Sequence, residues 1–137
     1  MRNFILKNET YLRVRYSETD QMGYCYYGNY AQYCEVGRVE ALRDVGLSYK
    51  ELEDKGVMLP VSEFSIKYKR PAKYDDLLKI TTLIVAVKGP KITFEYEIYN
   101  EKGQLLVEAM TTLVFVSKET MRPIAPPDYF MALINKK

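Results

Sequence analysis

The sequence contains no histidine and only two cysteines. Without histidine, Ser-His-Asp and Cys-His catalysis are excluded in their usual forms. The commonest ligand of catalytic zinc is missing as well. Cys25 and Cys34 form neither a CxxC pair nor a disulfide framework. Both read as small apolar fillers. An excess of one charge sign is also lacking. Lys+Arg number 20 against 18 Asp+Glu, a net charge of +2, which is too balanced for a nucleic-acid-binding surface. No apolar run is long enough to span a membrane. The N-terminal segment MRNFILKNETYLRVRY lacks the uninterrupted apolar block and small-residue cleavage site of a signal peptide. The expected location is therefore the cytoplasm. Any acid–base chemistry must come from Asp, Glu, Lys, Tyr, Cys or ordered water.

What is present suits one domain over residues 1–137, with 47% apolar residues to build a core. Residues 15–43 organise the rest. A polar loop carrying Asp20 runs into Gly28-Asn29, and a helix is predicted over 29–45 with Asn29 as its N-cap. Tyr30, Tyr33, Cys34, Gly37, Ala41 and Val45 fall on one face. Gly37 and Ala41 would let the helix axis sit close to a sheet, and Gly46 fits the stop signal. Ser48-Tyr49-Lys50-Glu51 is a capping-box pattern, so a short helix is expected over 48–54. Strands are expected over 10–16, 58–69, 77–87, 92–98 and 105–115. Pro60 marks a bend or an edge position in the second of these. Gly89-Pro90 and residues 100–103 supply the turns. A short apolar segment ending at Ile134 would dock as a helix. Clustered antiparallel strands with a helix near the front give an α+β class, one helix laid across a strongly curved sheet.

Several side chains carry two readings. Asp20 either caps an Asx-type turn or acts as base or nucleophile. The helix start beside it offers unpaired N–H groups and a positive dipole end, which suit a carbonyl oxygen gaining charge. Lys67, Lys69, Arg70 and Lys73, with Lys88 and Lys91 around the Gly-Pro turn, are either solvated edge protection or a seat for phosphates. Tyr24, Tyr26, Tyr27, Tyr30 and Tyr33 either pack or wall an aryl or acyl group. Asp75 and Asp76 read as turn residues. Glu63 reads as a solvated or paired charge and is an outside candidate for positioning water, while Glu35, which could approach the cleft one turn into the helix, reads as a surface charge.

Two passages resemble a known family. One is Tyr16-Ser-Glu-Thr-Asp20-Gln-Met-Gly23 followed by Tyr27-Gly28-Asn29-Tyr30, with Arg38 further along the helix. The other is Tyr68-Lys-Arg-Pro71-Ala72-Lys-Tyr74-Asp75-Asp76-Leu77. Together with the element order they resemble the hotdog-fold acyl-CoA thioesterases of the 4-hydroxybenzoyl-CoA thioesterase type.

The resemblance implies a five-stranded curved antiparallel sheet wrapped around one long central helix. It implies conversion of an acyl-CoA and water to a carboxylic acid and free CoA. Asp20 then matches the catalytic carboxylate, as general base or as nucleophile. Tyr27 matches the position whose backbone N–H polarises the thioester carbonyl, with Gly28 beside it. Many relatives carry His where this chain has Tyr27; the backbone donor is kept and the imidazole is lost, which bears on substrate choice. Lys67, Lys69, Arg70, Lys88 and Lys91 become candidates for binding the CoA phosphates. No metal or redox cofactor is implied, CoA being part of the substrate. Pairing through the second strand implies a homodimer or homotetramer with the site at the subunit boundary. Two rivals stand beside this reading: hydrolysis of acyl carrier protein thioesters, and a non-catalytic module that binds acyl-CoA.

Overall fold

In the computed structural model of the protein, which describes residues 3–135, the strand with the most regular alternation lies at the centre of the sheet. Strand β5 (Lys91–Tyr99) buries Ile92, Phe94, Tyr96 and Ile98 on one face. The other strands are β1 (Leu6–Arg13), β2 (Val57–Met58), β3 (Val61–Tyr68), β4 (Leu77–Lys88), β6 (Leu105–Val114) and β7 (Val116–Ser117). Helices are α1 (Asn29–Asp44), α2 (Tyr49–Asp54) and α3 (Asp128–Ile134). Five strands form one antiparallel sheet in the order β1-β4-β5-β6-β3, and β2 pairs with β7 separately. The edges are therefore β1 and β3.

The long helix α1 packs against β1, β4 and β5. It buries Tyr30, Tyr33, Cys34, Gly37 and Ala41, as the spacing predicts. At Gly37 helix and sheet lie close together. A Cβ there would lie 2.9 Å from Ile80 Cγ2 and nearer still to Thr82 Oγ1, so only glycine lets the helix backbone rest on β4 at this depth. Arg38 is also buried, a cation that spacing alone does not place on the inner face. Its Nε donates to the Tyr49 hydroxyl at 3.1 Å, tying α1 to α2. Burial works against its charge, and the oxygens of Tyr49 and Tyr96 outweigh that effect.

Ser48 caps α2 by accepting a hydrogen bond from the Glu51 N–H at 3.1 Å. The β5–β6 hairpin turns at Gly103, whose N–H donates to the Asn100 carbonyl at 3.0 Å. Helix α3 docks Phe130 edge-on against Phe115, ring centroids 4.9 Å apart. Among the described residues no helix is long and apolar enough to cross a membrane.

Three sequence expectations are corrected. The first strand spans Leu6–Arg13, not 10–16, because its ladder runs from Leu6↔Ile84 to Arg13↔Leu77 and Tyr16–Glu18 then forms a 3-10 turn. The extended stretch 58–69 is split at Leu59-Pro60. Val57–Met58 joins β7, and Val61–Tyr68 forms the edge strand beside β6. Proline has no N–H to continue a ladder. Helix α1 has Gly28, not Asn29, at its N-cap. Asn29 is the first helical residue, and its side-chain amide instead donates to the Glu18 carbonyl at 2.7 Å.

Candidate active site

The two sequence passages quoted above meet in space. Thr19 bridges to Cys25 and Tyr24 bridges to Lys73. The Cys25 N–H donates to the Ala72 carbonyl at 2.8 Å. The Ala72 N–H donates to the Tyr30 hydroxyl at 3.1 Å, which ties the start of α1 to the same segment. Tyr16 and Tyr74 meet edge to face with centroids 5.5 Å apart. The loop leading into α1 is thus pinned on the segment leaving β3.

Asp20 sits at the tip of this loop and is exposed. Its Oδ1 accepts the N–H of Met22 at 2.9 Å and that of Tyr24 at 3.3 Å. This is the Asx turn that a plain structural reading expects, but it also fixes the carboxylate's direction. Among the described residues Oδ2 has no hydrogen-bond partner. Asp20 is the one carboxylate on the wall of an open cleft of ≈ 340 Å³, which it shares with Tyr24, Cys25, Tyr27, Tyr30, Tyr68, Lys69, Arg70 and Pro71.

The helix start borders this cleft. The Asn29 N–H donates to the Tyr26 carbonyl at 3.0 Å and the Tyr30 N–H to that of Tyr27 at 3.3 Å. The N–H groups of Tyr27 and Gly28 have no acceptor among the described residues, and they lie at the positive end of α1. At Gly28 a Cβ would fall 2.7 Å from the Tyr26 ring, so glycine lets that ring fold over the helix start. Tyr68 on β3 reaches across the cleft, its ring 5.6 Å from that of Tyr30 and 6.4 Å from that of Tyr27. Its hydroxyl donates to the Tyr27 carbonyl at 3.4 Å.

Glu18, to which sequence reasoning assigned no role, is the knot of the loop. Its carboxylate accepts the Arg15 N–H and the Tyr33 hydroxyl, both at 2.8 Å. Its carbonyl accepts the Tyr26 N–H at 2.8 Å as well as the Asn29 amide. The one signal was its place two residues before Asp20; its partners are too scattered in sequence to suggest the network.

Burial acts on three weak acids at or beside the cleft wall. It pushes the Tyr30 phenol up to about 12 and raises the Cys25 thiol and the neighbouring Tyr33 phenol. These groups serve as walls and hydrogen-bond partners rather than bases.

The basic candidates separate. Lys69 and Arg70 line the cleft. Lys67 pairs across from Glu108, on the β3 face opposite to Phe64, Ile66 and Tyr68. Glu63 shares that outer face. Lys88 and Lys91 face each other at the β4–β5 turn, roughly 26 Å from the Ile80 row at about 3.3 Å per residue. Glu35 lies on the exposed side of α1. Among the described residues no group of three or more His, Cys, Asp or Glu side chains is placed to hold a metal.

Comparison with known proteins gives the family and the fold. Residues 14–134 match the thioesterase-like superfamily. The chain is 40% identical to the putative acyl-CoA thioesterase YneP of Bacillus subtilis, covering 92% of this chain and 94% of that protein. It is 34% identical to the acyl-CoA thioester hydrolase YbgC of Escherichia coli, covering 88% and 90%. Among solved structures, a DHNA-CoA thioesterase from Staphylococcus aureus superposes with a TM-score of 0.86 at 34% identity, covering 92% of this chain and 85% of that one. With its five-stranded antiparallel sheet laid against one long helix, the chain belongs to the thioesterase-like superfamily and has the hotdog fold.

Proposed function

We propose that the protein hydrolyses acyl-CoA thioesters to a free acid and coenzyme A, with Asp20 as the reacting carboxylate. The observation that carries this is a braced carboxylate sharing one cleft with the start of α1, where the N–H groups of Tyr27 and Gly28 have no acceptor among the described residues. A thioester carbonyl is already electrophilic, so the protein must supply an activated oxygen and a place for the oxyanion. As general base, Asp20 takes a proton from water while the water oxygen bonds to the carbonyl carbon. The C–S bond then breaks and the proton passes to the departing thiolate. As nucleophile, Asp20 forms a mixed anhydride and expels the thiolate, and water then hydrolyses the anhydride. In both routes the N–H groups of Tyr27 and Gly28 hold the oxyanion.

The same reading includes a homodimer or homotetramer and a cytoplasmic location. An exposed edge strand such as β3 favours pairing with a second copy. Antiparallel β3–β3 pairing about a two-fold axis lays the Val61 end of one copy beside the Tyr68 end of the other. The Val61 row continues through Leu113 and Ile92, next to the Lys88–Lys91 turn. Such pairing supports Lys88 and Lys91 as phosphate contacts reaching across a subunit boundary.

The test is steady-state release of free thiol from short-chain, long-chain and aryl CoA thioesters, beside matched carrier-protein thioesters. Turnover of CoA thioesters is expected. Acyl-CoA binding without thiol release would instead make the protein a binding module. Turnover of carrier-protein thioesters alone would change the carrier.

A further inference from the structure

The Asp20 loop leaves the fold and returns to it at one point. Thr19 bridges to Cys25, and the Tyr26 N–H donates to the Glu18 carbonyl at 2.8 Å, so residues 18 and 26 form the neck of the loop. Asp20 stands two residues beyond Glu18 on the outgoing arm. The Tyr27 and Gly28 N–H groups follow Tyr26 directly on the returning arm. The Glu18 carbonyl also accepts the Asn29 side-chain amide at 2.7 Å. One oxygen therefore holds the residues on either side of the two donors, Tyr26 before them and Asn29 after them.

The Glu18 side chain grips the same helix one turn further on. Its Oε1 accepts the hydroxyl of Tyr33, four residues after Asn29, at 2.8 Å. The same Oε1 accepts the Arg15 N–H at 2.8 Å, while the Glu18 N–H donates to the Arg15 carbonyl at 2.9 Å. This exchange closes the 3-10 turn over Tyr16–Glu18. Burial first, then the Cys25 thiol and the Glu18 carboxylate, push the Tyr33 phenol up, so it keeps the proton that it gives to Oε1. Glu18 itself is not on the cleft wall.

We infer that Glu18 is a positioning residue for the hydrolysis: it holds Asp20 in register with the N–H groups at the start of α1, acting through the neck of the loop and through Tyr33. The inference rests on the hydrolase reading above and goes beyond it. The reacting carbon must lie within reach of the activated oxygen while its own oxygen rests on the donors, so the distance from base to donors is what the site must fix. Asp20 and the donors sit on opposite arms of a surface loop, and such arms drift unless they are tied. Both side-chain bonds of Glu18 end on one oxygen. The arrangement therefore uses the acceptor rather than the charge.

The experiment is steady-state hydrolysis of one acyl-CoA by Glu18→Ala, Glu18→Gln and Tyr33→Phe, each also combined with Asp20→Asn, with thermal melting to correct for the folded fraction. Glu18→Ala should lower kcat between about tenfold and a hundredfold, with KM nearly unchanged. Glu18→Gln keeps an oxygen where Oε1 stands and should recover most of that loss. With Asp20→Asn no base remains to be held in register, so adding Glu18→Ala should cost less than about threefold more. Tyr33→Phe leaves the Glu18 main chain untouched and should lower kcat about threefold or more. It decides the matter where Glu18→Ala does not fold.

An unchanged kcat in Glu18→Ala, or in Tyr33→Phe, overturns the inference while leaving hydrolysis intact. So does a Glu18→Gln protein as slow as Glu18→Ala, because the charge would then act on the reaction itself. Full multiplication of the Asp20→Asn and Glu18→Ala losses overturns it too, since Glu18 would then act independently of Asp20. Amide NMR gives a reading without turnover. Glu18→Ala should move the N–H signals of Tyr27 and Gly28 and those of Met22 and Tyr24, which bind Asp20, while that of Phe94 stays; Glu18→Gln should bring them back toward wild type. If no thioester is turned over yet the signals respond in this way, the hydrolase reading falls and the tie between loop and helix start stands. Unmoved signals in Glu18→Ala overturn the tie.

Discussion

Asp20→Asn is the perturbation that bears most directly on the catalytic assignment. The asparagine side chain keeps an oxygen where Oδ1 now accepts the Met22 and Tyr24 N–H groups. The loop should therefore keep its shape. Changing two charge-assisted bonds to neutral ones costs about 1 kcal/mol at this exposed site. For a chain of this size that is a fall in Tm of about 4 °C. The loss in rate should be far larger. Removing a positioned acid–base group costs roughly 10²–10⁴ in kcat, or about 2.7–5.5 kcal/mol of barrier. KM should change little, because the carboxylate acts on the reacting atoms rather than on the nucleotide. The assay is steady-state thiol release from the best CoA thioester, with thermal melting and sedimentation as folding controls. A well-folded Asp20→Asn protein that keeps more than about a tenth of kcat would refute the assignment, since a positioned acid–base group typically contributes roughly 10²–10⁴-fold. The search would then pass to Glu63 and Glu35, although neither lines the cleft.

Three further outcomes are expected. Sedimentation at micromolar concentration should show a dimer or larger, and a lone 16.0 kDa species would count against pairing through β3. Gly37→Ala should destabilise the fold by about 2 kcal/mol, the overpacking cost exceeding the helix-propensity gain; an unchanged or higher Tm would contradict the close approach at Ile80 and Thr82. Burial raises the Cys34 thiol from 9.0 to about 12 and the Tyr30 phenol from 10.0 to about 12. The unfolded chain therefore loses these protons first, so stability is full below pH 9 and falls as pH rises toward 12. The slope is about 1.4 kcal/mol per pH unit for each group within its window, and urea melts showing equal stability at pH 8 and pH 11 would disprove it.

Much of the fold was legible because its signals are local. The three- and four-residue spacing from Tyr30 to Ala41 is a property of α1 alone, and so is the alternation from Ile92 to Ile98. The capping box at Ser48 needs only four residues. Errors arose where partners decide. Residues 6–9 have no apolar alternation worth noticing, and they are a strand because β4 offers a ladder to them. Pro60 announced a bend, but only the β7 partner of Val57–Met58 shows that the chain changes sheets there. The site divides in the same way. Asp20 and Tyr27 stood out through motif resemblance and line one cleft. Glu18 looked like one more loop charge, because its contacts with Tyr33 and Asn29 exist only once the loop has closed on the helix.

The seat of α1 at Gly37 has a consequence for how the sequence can drift. Gly37 lies nine positions after Gly28 on a straight rod, about 13 Å away at 1.5 Å per residue. Enlarging it would tilt the rod, and the tilt would be felt at the far tip, where the N–H groups of Tyr27 and Gly28 border the cleft. Misplacement by about 1 Å there is enough to lose about a hundredfold in rate. Size at position 37 should therefore be tradeable only against size at its two neighbours on β4. Thr82→Ala, which removes the Oγ1 that a new methyl group would strike first, is the change expected to arise as a suppressor of Gly37→Ala, recovering turnover without altering any group that touches the substrate.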